Sequence, residues 1–379
     1  MTKKIIQHYL KCMKLQKKEN KKIVIFIPSI EFGGVEKNLY ILIDYLQNFY
    51  SKIFIVTSSK INEKINKKKV KIINPKSKHW NKKNRILKSF MSLFLVLKNF
   101  QKREVILISF QSSFFSIIAS KLMGWPIIIR LNTSPEKYIN NFLKFFLFKI
   151  LYKFSNEIIV NSFEFKKNLK KIFNYNSTVI LNPLIKKKIK NKEIKSLKKF
   201  KGLKIINIAR LTDQKDHITL LKSIKIIVEN KKINLKLYII GQGKNFNLLQ
   251  DFIKTNNLRK NIILFGYKTN AEQYIKYFDL FVLSSRYEGL PNTLIEAQLS
   301  KVPIISSDCP SGPKEILLNG KLGILFKTGD YKDLYKKILL FNQNKIKYKN
   351  QSLLAQKYLK RFDYKVNLSK YLKMINKYI

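Results

Sequence analysis

The chain has 379 residues, more than one typical domain needs and enough for two hydrophobic cores. Its 76 Lys and Arg against 23 Asp and Glu give a formal net charge of +53, so the surface attracts polyanions: nucleic acid, anionic lipid headgroups or phosphorylated substrates. A hydrophobic content of 45% excludes a disordered tail, and two widely separated cysteines, Cys12 and Cys309, exclude a disulfide framework or a cysteine zinc site.

Residues 1–22 are basic and polar with no secretory signal, and no uncharged apolar run of about 18 residues follows. A reducing, cytoplasmic setting without a transmembrane helix is therefore expected. The excess of Lys comes with much Ile and Asn, a bias that an AT-rich genome also produces.

In chain order, residues 22–28 form an unbroken apolar run that reads as a strand buried on both faces. Glu31, Phe32, Gly33 and Gly34 follow, then a helical pattern over 35–47. Strands are predicted at 53–56, 70–73, 105–108, 126–129, 157–160 and 177–181, with amphipathic stretches between several of them. Residues 185–201 are rich in Lys, lack a strand pattern and read as a linker. The alternation restarts at 202–209, with further strands at 235–240, 261–265, 279–283 and 303–306 and helices at 219–229 and 246–256. The last 30 residues, 350–379, look helical. Strands alternating with helices predict an α/β chain of two doubly wound Rossmann-like domains. The expected divisions are 1–190, 191–355, and a terminal helix, 356–379, crossing back to the first domain.

Ligands of such sheets bind at the carboxyl ends of strands, which directs attention to the loops there. After the strand at 202–209 come Arg210 and Lys215, either a cation pair for a diphosphate or two solvated charges. Gly241 and Gly243 follow the next strand and permit a close backbone approach to a ligand or a plain turn. Gly266 and Tyr267 open a loop that can seat a nucleobase or simply connect. The strongest segment starts at Ser284 and Ser285 and runs through Glu288, Gly289, Leu290, Pro291, Asn292 and Thr293 to Glu296. Asn292 or a neighbour can cap the helix that starts there, Pro291 suits that start, and the first amides form an anion site. Glu288 in the loop and Glu296 one turn into the helix can each reach hydroxyls of a sugar or ribose. A later turn, 306–316, contains Cys309, which has no neighbouring His to activate it as a nucleophile.

These residues resemble glycosyltransferase family 4, a family with the GT-B architecture of two Rossmann-like domains facing a central cleft. Its pair of glutamates eight positions apart matches Glu288 and Glu296. Its Arg-Leu and Gln-Lys positions match Arg210, Leu211, Gln214 and Lys215, and its glycine loops match Gly241, Gly243, Gly33 and Gly34. The resemblance is tight over 203–326 and looser over the first half. The wording of residues 308–316 is similar to bacterial members that build capsule, lipopolysaccharide or lipid-linked oligosaccharide, among them N-acetylgalactosaminyl transferases acting on polyprenyl-diphosphate sugars.

The resemblance implies a retaining transferase. Its donor would be a nucleotide-sugar, UDP-linked, and its acceptor lipid-linked or a growing glycan. Glu288, Arg210 and Lys215 would be catalytic. Gly33, Gly34, Gly241, Gly243, Tyr267, Leu290, Pro291, Asn292, Thr293 and Glu296 would bind the donor. No metal or other cofactor is implied, and no Asp-x-Asp motif is present. Many members carry a first-domain His; Ser109, Phe110 and Gln111 stand there instead, and Arg130 with Asn132 partly fits members lacking it. His217 reads as a helix start. Ala209 and Lys301 replace glycines usual in the family.

Residues 138–154, punctuated by Lys144, Lys149 and Lys153, read as a basic amphipathic helix on anionic lipid or as a core helix with a charged edge; 86–100 reads similarly in part. An anionic membrane partner on the inner face of the plasma membrane is thus expected, and no nucleic acid. The alternatives are a nucleotide-sugar epimerase on the same fold, disfavoured by scarce His, or a basic nucleic-acid-binding protein, for which no zinc-finger or RNP-type motif appears.

Overall fold

A computed structural model describes residues 21–31, 33–61, 70–111, 113–132, 142–185 and 199–379. The chain divides into two compact units. The first takes its described residues up to Asn161, then Lys166–Pro183 and Tyr364–Ile379; the second takes Ser162–Phe165 and Leu184–Asp363. Most of the linker expected at 185–201, with its boundary near 190, lies outside the described residues.

The first unit is built on β1 (Lys22–Phe26), β2 (Ile53–Val56), β3 (Val70–Ile73), β4 (Val105–Ser109), β5 (Ile127–Leu131), β6 (Glu157–Val160) and β7 (Thr178–Val179). They form one parallel sheet in the order β3-β2-β1-β4-β5-β6-β7. Helices α1 (Gly34–Leu46), α2 (Arg85–Asn99), α3 (Ser113–Met123), α4 (Phe142–Tyr152) and α5 (Phe163–Phe173) follow in chain order. Helices on both faces explain why β4 is buried at every position and why its sequence is a continuous apolar run. Helix α1 turns Leu39, Leu42, Ile43 and Leu46 toward the sheet, the spacing of one helical stripe.

The second unit has β8 (Leu203–Ile208), β9 (Leu235–Ile240), β10 (Ile262–Gly266), β11 (Leu280–Leu283), β12 (Ile304–Ser307) and β13 (Ile324–Phe326), all parallel, in the order β10-β9-β8-β11-β12-β13. Its helices are α6 (His217–Glu229), α7 (Phe246–Thr255), α8 (Asn292–Leu299), the single turn α9 (Pro313–Ile316), α10 (Tyr331–Gln343) and α11 (Lys345–Tyr358). In both sheets the strand order reverses once, between β1 and β4 and between β8 and β11. Those reversal points open the crevices where α/β sheets take ligands.

The helical tail is not one helix. After α11 and a 3-10 turn, Leu359–Phe362, Asp363 forms an isolated parallel bridge with Leu184, whose N–H donates to the Phe362 carbonyl at 2.7 Å. Helix α12 (Tyr364–Ile375) then places Leu368, Tyr371, Leu372 and Ile375 in the core of the first unit. The second unit therefore extends to Asp363, past the expected limit of 355.

Candidate functional site

The second unit gathers its chemistry at the reversal between β8 and β11. The loop after β8 carries Arg210 and ends in a 3-10 turn, Asp213–Lys215, followed by buried Asp216 in a left-handed conformation (φ 43°). Asp216 caps α6: its carboxylate accepts from the Thr219 hydroxyl at 2.8 Å and pairs with Arg286 of the β11 loop at 3.3 Å. Three more bonds join the two loops. The Gln214 carbonyl accepts from the Arg286 amide (2.8 Å), the Gln214 side chain donates to the Tyr287 carbonyl (2.9 Å), and Ser284 donates to the Lys215 carbonyl (2.9 Å).

This stitching brings Lys215 and Glu288 together although 73 positions separate them. Glu288 is 6% exposed, and its Oε1 accepts from the Lys215 ammonium at 2.5 Å and from the Ser285 hydroxyl at 2.6 Å. The end of β12 and the loop after it support the arrangement: Ser307 donates to the Ser285 carbonyl (2.6 Å) and Ser311 to the Glu288 carbonyl (2.8 Å). A Cβ on Gly312, at φ +79°, would lie 1.9 Å from the Gly289 carbonyl, so only glycine lets these loops close. Gln214 stands in the matched Gln-Lys motif and Ser285 opens the segment of Glu288, but neither shows its bonding partner in the sequence; Ser307 and Ser311 carry no signal beyond their place at and just after the end of buried β12.

Pro291 is the N-cap of α8, and Asn292 is its first residue, not its cap. Proline offers no side-chain acceptor, so the helix starts without a side-chain cap. Leu290 and Pro291 are buried, Asn292 and Thr293 half-buried, and Glu296 is buried just beyond the first turn. Gly241 and Gly243 flank the Arg210 loop. A Cβ at Gly241 would meet the Ala209 carbonyl at 1.9 Å, and one at Gly243 the Leu211 carbonyl at 2.3 Å. Packing of neighbouring backbones thus accounts for both glycines before any ligand is considered. Gly266 at φ +70° ends β10, and Tyr267 beyond it is exposed.

Two titratable groups in the unit are silenced by burial. His217, the first residue of α6, is 2% exposed and pairs its Nε2 with the Asn207 side chain at 3.1 Å. Burial, helped by the Lys215 charge, pushes its pKa down to about 3. Cys309 is pushed up to about 12 by burial and then by the Glu288 charge, so its thiol stays protonated and is no nucleophile at neutral pH.

In the first unit, Gly33 is the N-cap and Gly34 the first residue of α1, in the connection that follows β1. The buried Glu36 carboxylate accepts from the Gly33 amide at 2.9 Å and the Glu31 amide at 3.1 Å, fixing that loop. The Ser109 hydroxyl donates to the Gln111 carbonyl (3.1 Å), and the Gln111 amide reaches Glu36 at 3.5 Å. Arg130 is buried, bonded to Asn132 (3.2 Å), Asn182 (2.7 Å) and the Tyr371 hydroxyl of α12.

Comparison with known proteins agrees with this architecture. The family model described as glycosyl transferases group 1 matches residues 188–358. A glycosyltransferase of Methanocaldococcus jannaschii is 34% identical over 300 residues, 69% of this chain and 73% of that protein. A Campylobacter jejuni protein is 24% identical over 349 residues, 87% of this chain and 93% of its own. It is named N-acetylgalactosamine-N,N'-diacetylbacillosaminyl-diphospho-undecaprenol 4-alpha-N-acetylgalactosaminyltransferase. The crystal structure of Anabaena HepE with UDP-glucose superposes with a TM-score of 0.76 at 16% identity, covering 94% of this chain and 99% of that one.

Proposed function

The chain belongs to the group 1 glycosyl transferases, and from that premise we propose that it moves a sugar from a UDP-linked donor to a lipid-linked or growing glycan acceptor, with retention at the anomeric carbon, in building a bacterial surface polysaccharide. The acceptor class follows the name of the Campylobacter relative, and the donor class the UDP-glucose bound by HepE. The work is done on the cytoplasmic side, at the membrane that holds the acceptor.

The observation that carries the reading is the buried couple of Lys215 and Glu288 at the strand reversal. Breaking a bond between sugar and diphosphate builds positive charge on the sugar and negative charge on the leaving oxygen. A lysine ammonium has three donors. One held by Glu288 leaves two for phosphate oxygens, and Arg210 on the same loop adds a forked cation. Cations fixed before the reaction lower the barrier without reorganising and without a metal. Glu288, held by Lys215 and Ser285, is set to orient donor-sugar hydroxyls, with Glu296 on the ribose. Tyr267, Leu290 to Thr293, Gly241 and Gly243 complete the donor side of the second unit, and the family resemblance also assigns Gly33 and Gly34 to the donor.

The test is nucleotide release from a panel of nucleotide-sugars in the presence of bacterial lipid extract. The parent should turn over one UDP-sugar, and Glu288→Ala should lose on the order of 100-fold or more, with folding checked by circular dichroism. Equal release by the variant would falsify the assignment of Glu288, and no release from any donor would remove the donor proposal.

A further inference from the structure

Three connections of the first unit, from β3 to β4, β4 to β5 and β5 to β6, run in the same direction across the sheet. Right-handed crossovers therefore set α2, α3 and α4 side by side on one face, and α3 packs against both neighbours. Helix α1 runs the opposite way and lies on the other face, where α12 packs against it.

The outer side of the α2–α3–α4 layer is apolar where a soluble protein would be charged. Ile86, Phe90 and Phe94 recur every fourth residue along α2, and Phe142, Phe146 and Ile150 do so along α4. All six are exposed, Phe142 by 78% and Ile86 by 64%. Single exposed apolar residues are ordinary; two parallel stripes on adjoining elements mark an interaction surface.

The charges on this layer have one sign. None of the three helices contains Asp or Glu. Between Arg85 and Asn156 the sequence has eleven Lys and Arg against Glu104 and Glu136, and Glu104 is paired with Lys22. Lys98 lies 5.8 Å from the ring centre of Phe94, and Lys121 at the end of α3 lies 5.1 Å from that of Phe154, just past α4. Lysines whose ammonium groups lie over aromatic rings are suited to a boundary between hydrocarbon and anionic headgroups.

We infer that this layer is the docking face of the protein on an anionic lipid bilayer, with the rings of α2 and α4 in the acyl boundary and the lysines among the headgroups. A second copy fits worse, because a two-fold contact would set the same lysines against each other with no acid between them. No helix among the described residues is long and apolar enough to span the bilayer, and the stripes of α2 and α4 are what the proposed attachment uses. The inference rests on the proposed lipid-linked acceptor for its place in the reaction, but not on the donor chemistry of Lys215 and Glu288.

Cosedimentation of the full chain with vesicles tests it. Phosphatidylcholine vesicles should bind weakly. Vesicles with roughly one-third phosphatidylglycerol should bind well, less so at high salt. Phe142→Ser with Phe146→Ser should weaken that binding about tenfold or more, and Lys98→Glu with Lys149→Glu should remove the preference for phosphatidylglycerol. Nucleotide release with the lipid extract dispersed in detergent, in place of vesicles, should be unchanged in both variants. Equal binding to both vesicle types, undiminished binding by the Ser variant, or a dimer that the Ser substitutions dissociate while the parent ignores vesicles would each overturn the inference. If the Ser variant does not fold, Phe146→Trp with brominated lipid replaces it: quenched fluorescence supports insertion and unquenched fluorescence overturns it. Vesicle binding by a protein that releases no nucleotide would leave the docking face standing and remove the donor reading.

Discussion

Lys215 and Glu288 hold opposite charges 2.5 Å apart with side-chain exposures of 15% and 6%. Removing one partner of such a buried pair strands the other charge, at a cost of about 3–5 kcal/mol. Glu288 therefore bears on stability as well as on its proposed role toward the donor, which is why its test includes a folding control. His217 makes a prediction of its own. Its folded pKa of about 3 lies below the ordinary 6.5, so the unfolded chain takes up a proton that the folded chain refuses. The stabilisation is complete above 6.5 and is lost as pH falls from 6.5 toward 3, with a slope of up to about 1.4 kcal/mol per pH unit. Urea midpoints measured across that range should fall steeply for the parent and less steeply for His217→Gln; parallel curves would show that His217 titrates normally.

Among the elements, α8 ends in a feature that invites improvement. Lys301 follows its C-cap in a left-handed conformation (φ 57°), with its amide on the Gln298 carbonyl at 3.0 Å and the Val302 amide on the Ala297 carbonyl at 3.2 Å. That pattern favours glycine. Lys301→Gly should raise stability by about 0.5–1 kcal/mol, seen as a higher urea midpoint with unchanged activity; a lower midpoint would mean that the lysine side chain stabilises this turn. Most strands were legible because burial on both faces writes them as continuous apolar runs, as in β11 and in β1 after Lys22. The three-residue edge strand β13 was not, since so short a run carries no period. The loop motifs singled out the segments that the structure joins, but not the pairing of Lys215 with Glu288, which depends on β8 and β11 being neighbours. The serine supports were hidden for the same reason, and the N-cap, open in the sequence between Asn292 and a neighbour, falls on Pro291 because proline fits either side of a helix start.

At the scale of the molecule, the first unit is completed by the far end of the chain. Leu368, Tyr371, Leu372, Met374 and Ile375 of α12 are buried in its core, and Tyr371 also accepts from buried Arg130. At about 1.5–3 kcal/mol for each buried side chain, taken as an upper bound, these contacts equal a typical domain's whole stability. A chain ending at Asp363 should keep a cooperative transition for the second unit while the first becomes sensitive to protease at low concentration. Joint loss of both units, or a first unit that stays resistant, would contradict this division.

The same connectivity sets an order of events at the ribosome. The first sheet emerges early, yet its closing helix emerges only after the whole of Leu184–Asp363, an interval of roughly tens of seconds at usual translation rates. Throughout that time the side of α1 that will receive α12 faces the cytosol uncovered. The second unit, whose residues are all available sooner, can finish folding before the first. The unit that begins the chain is thus the last to mature, and in a cell the nascent protein would need shelter at that groove rather than at the strand reversal that holds Lys215 and Glu288.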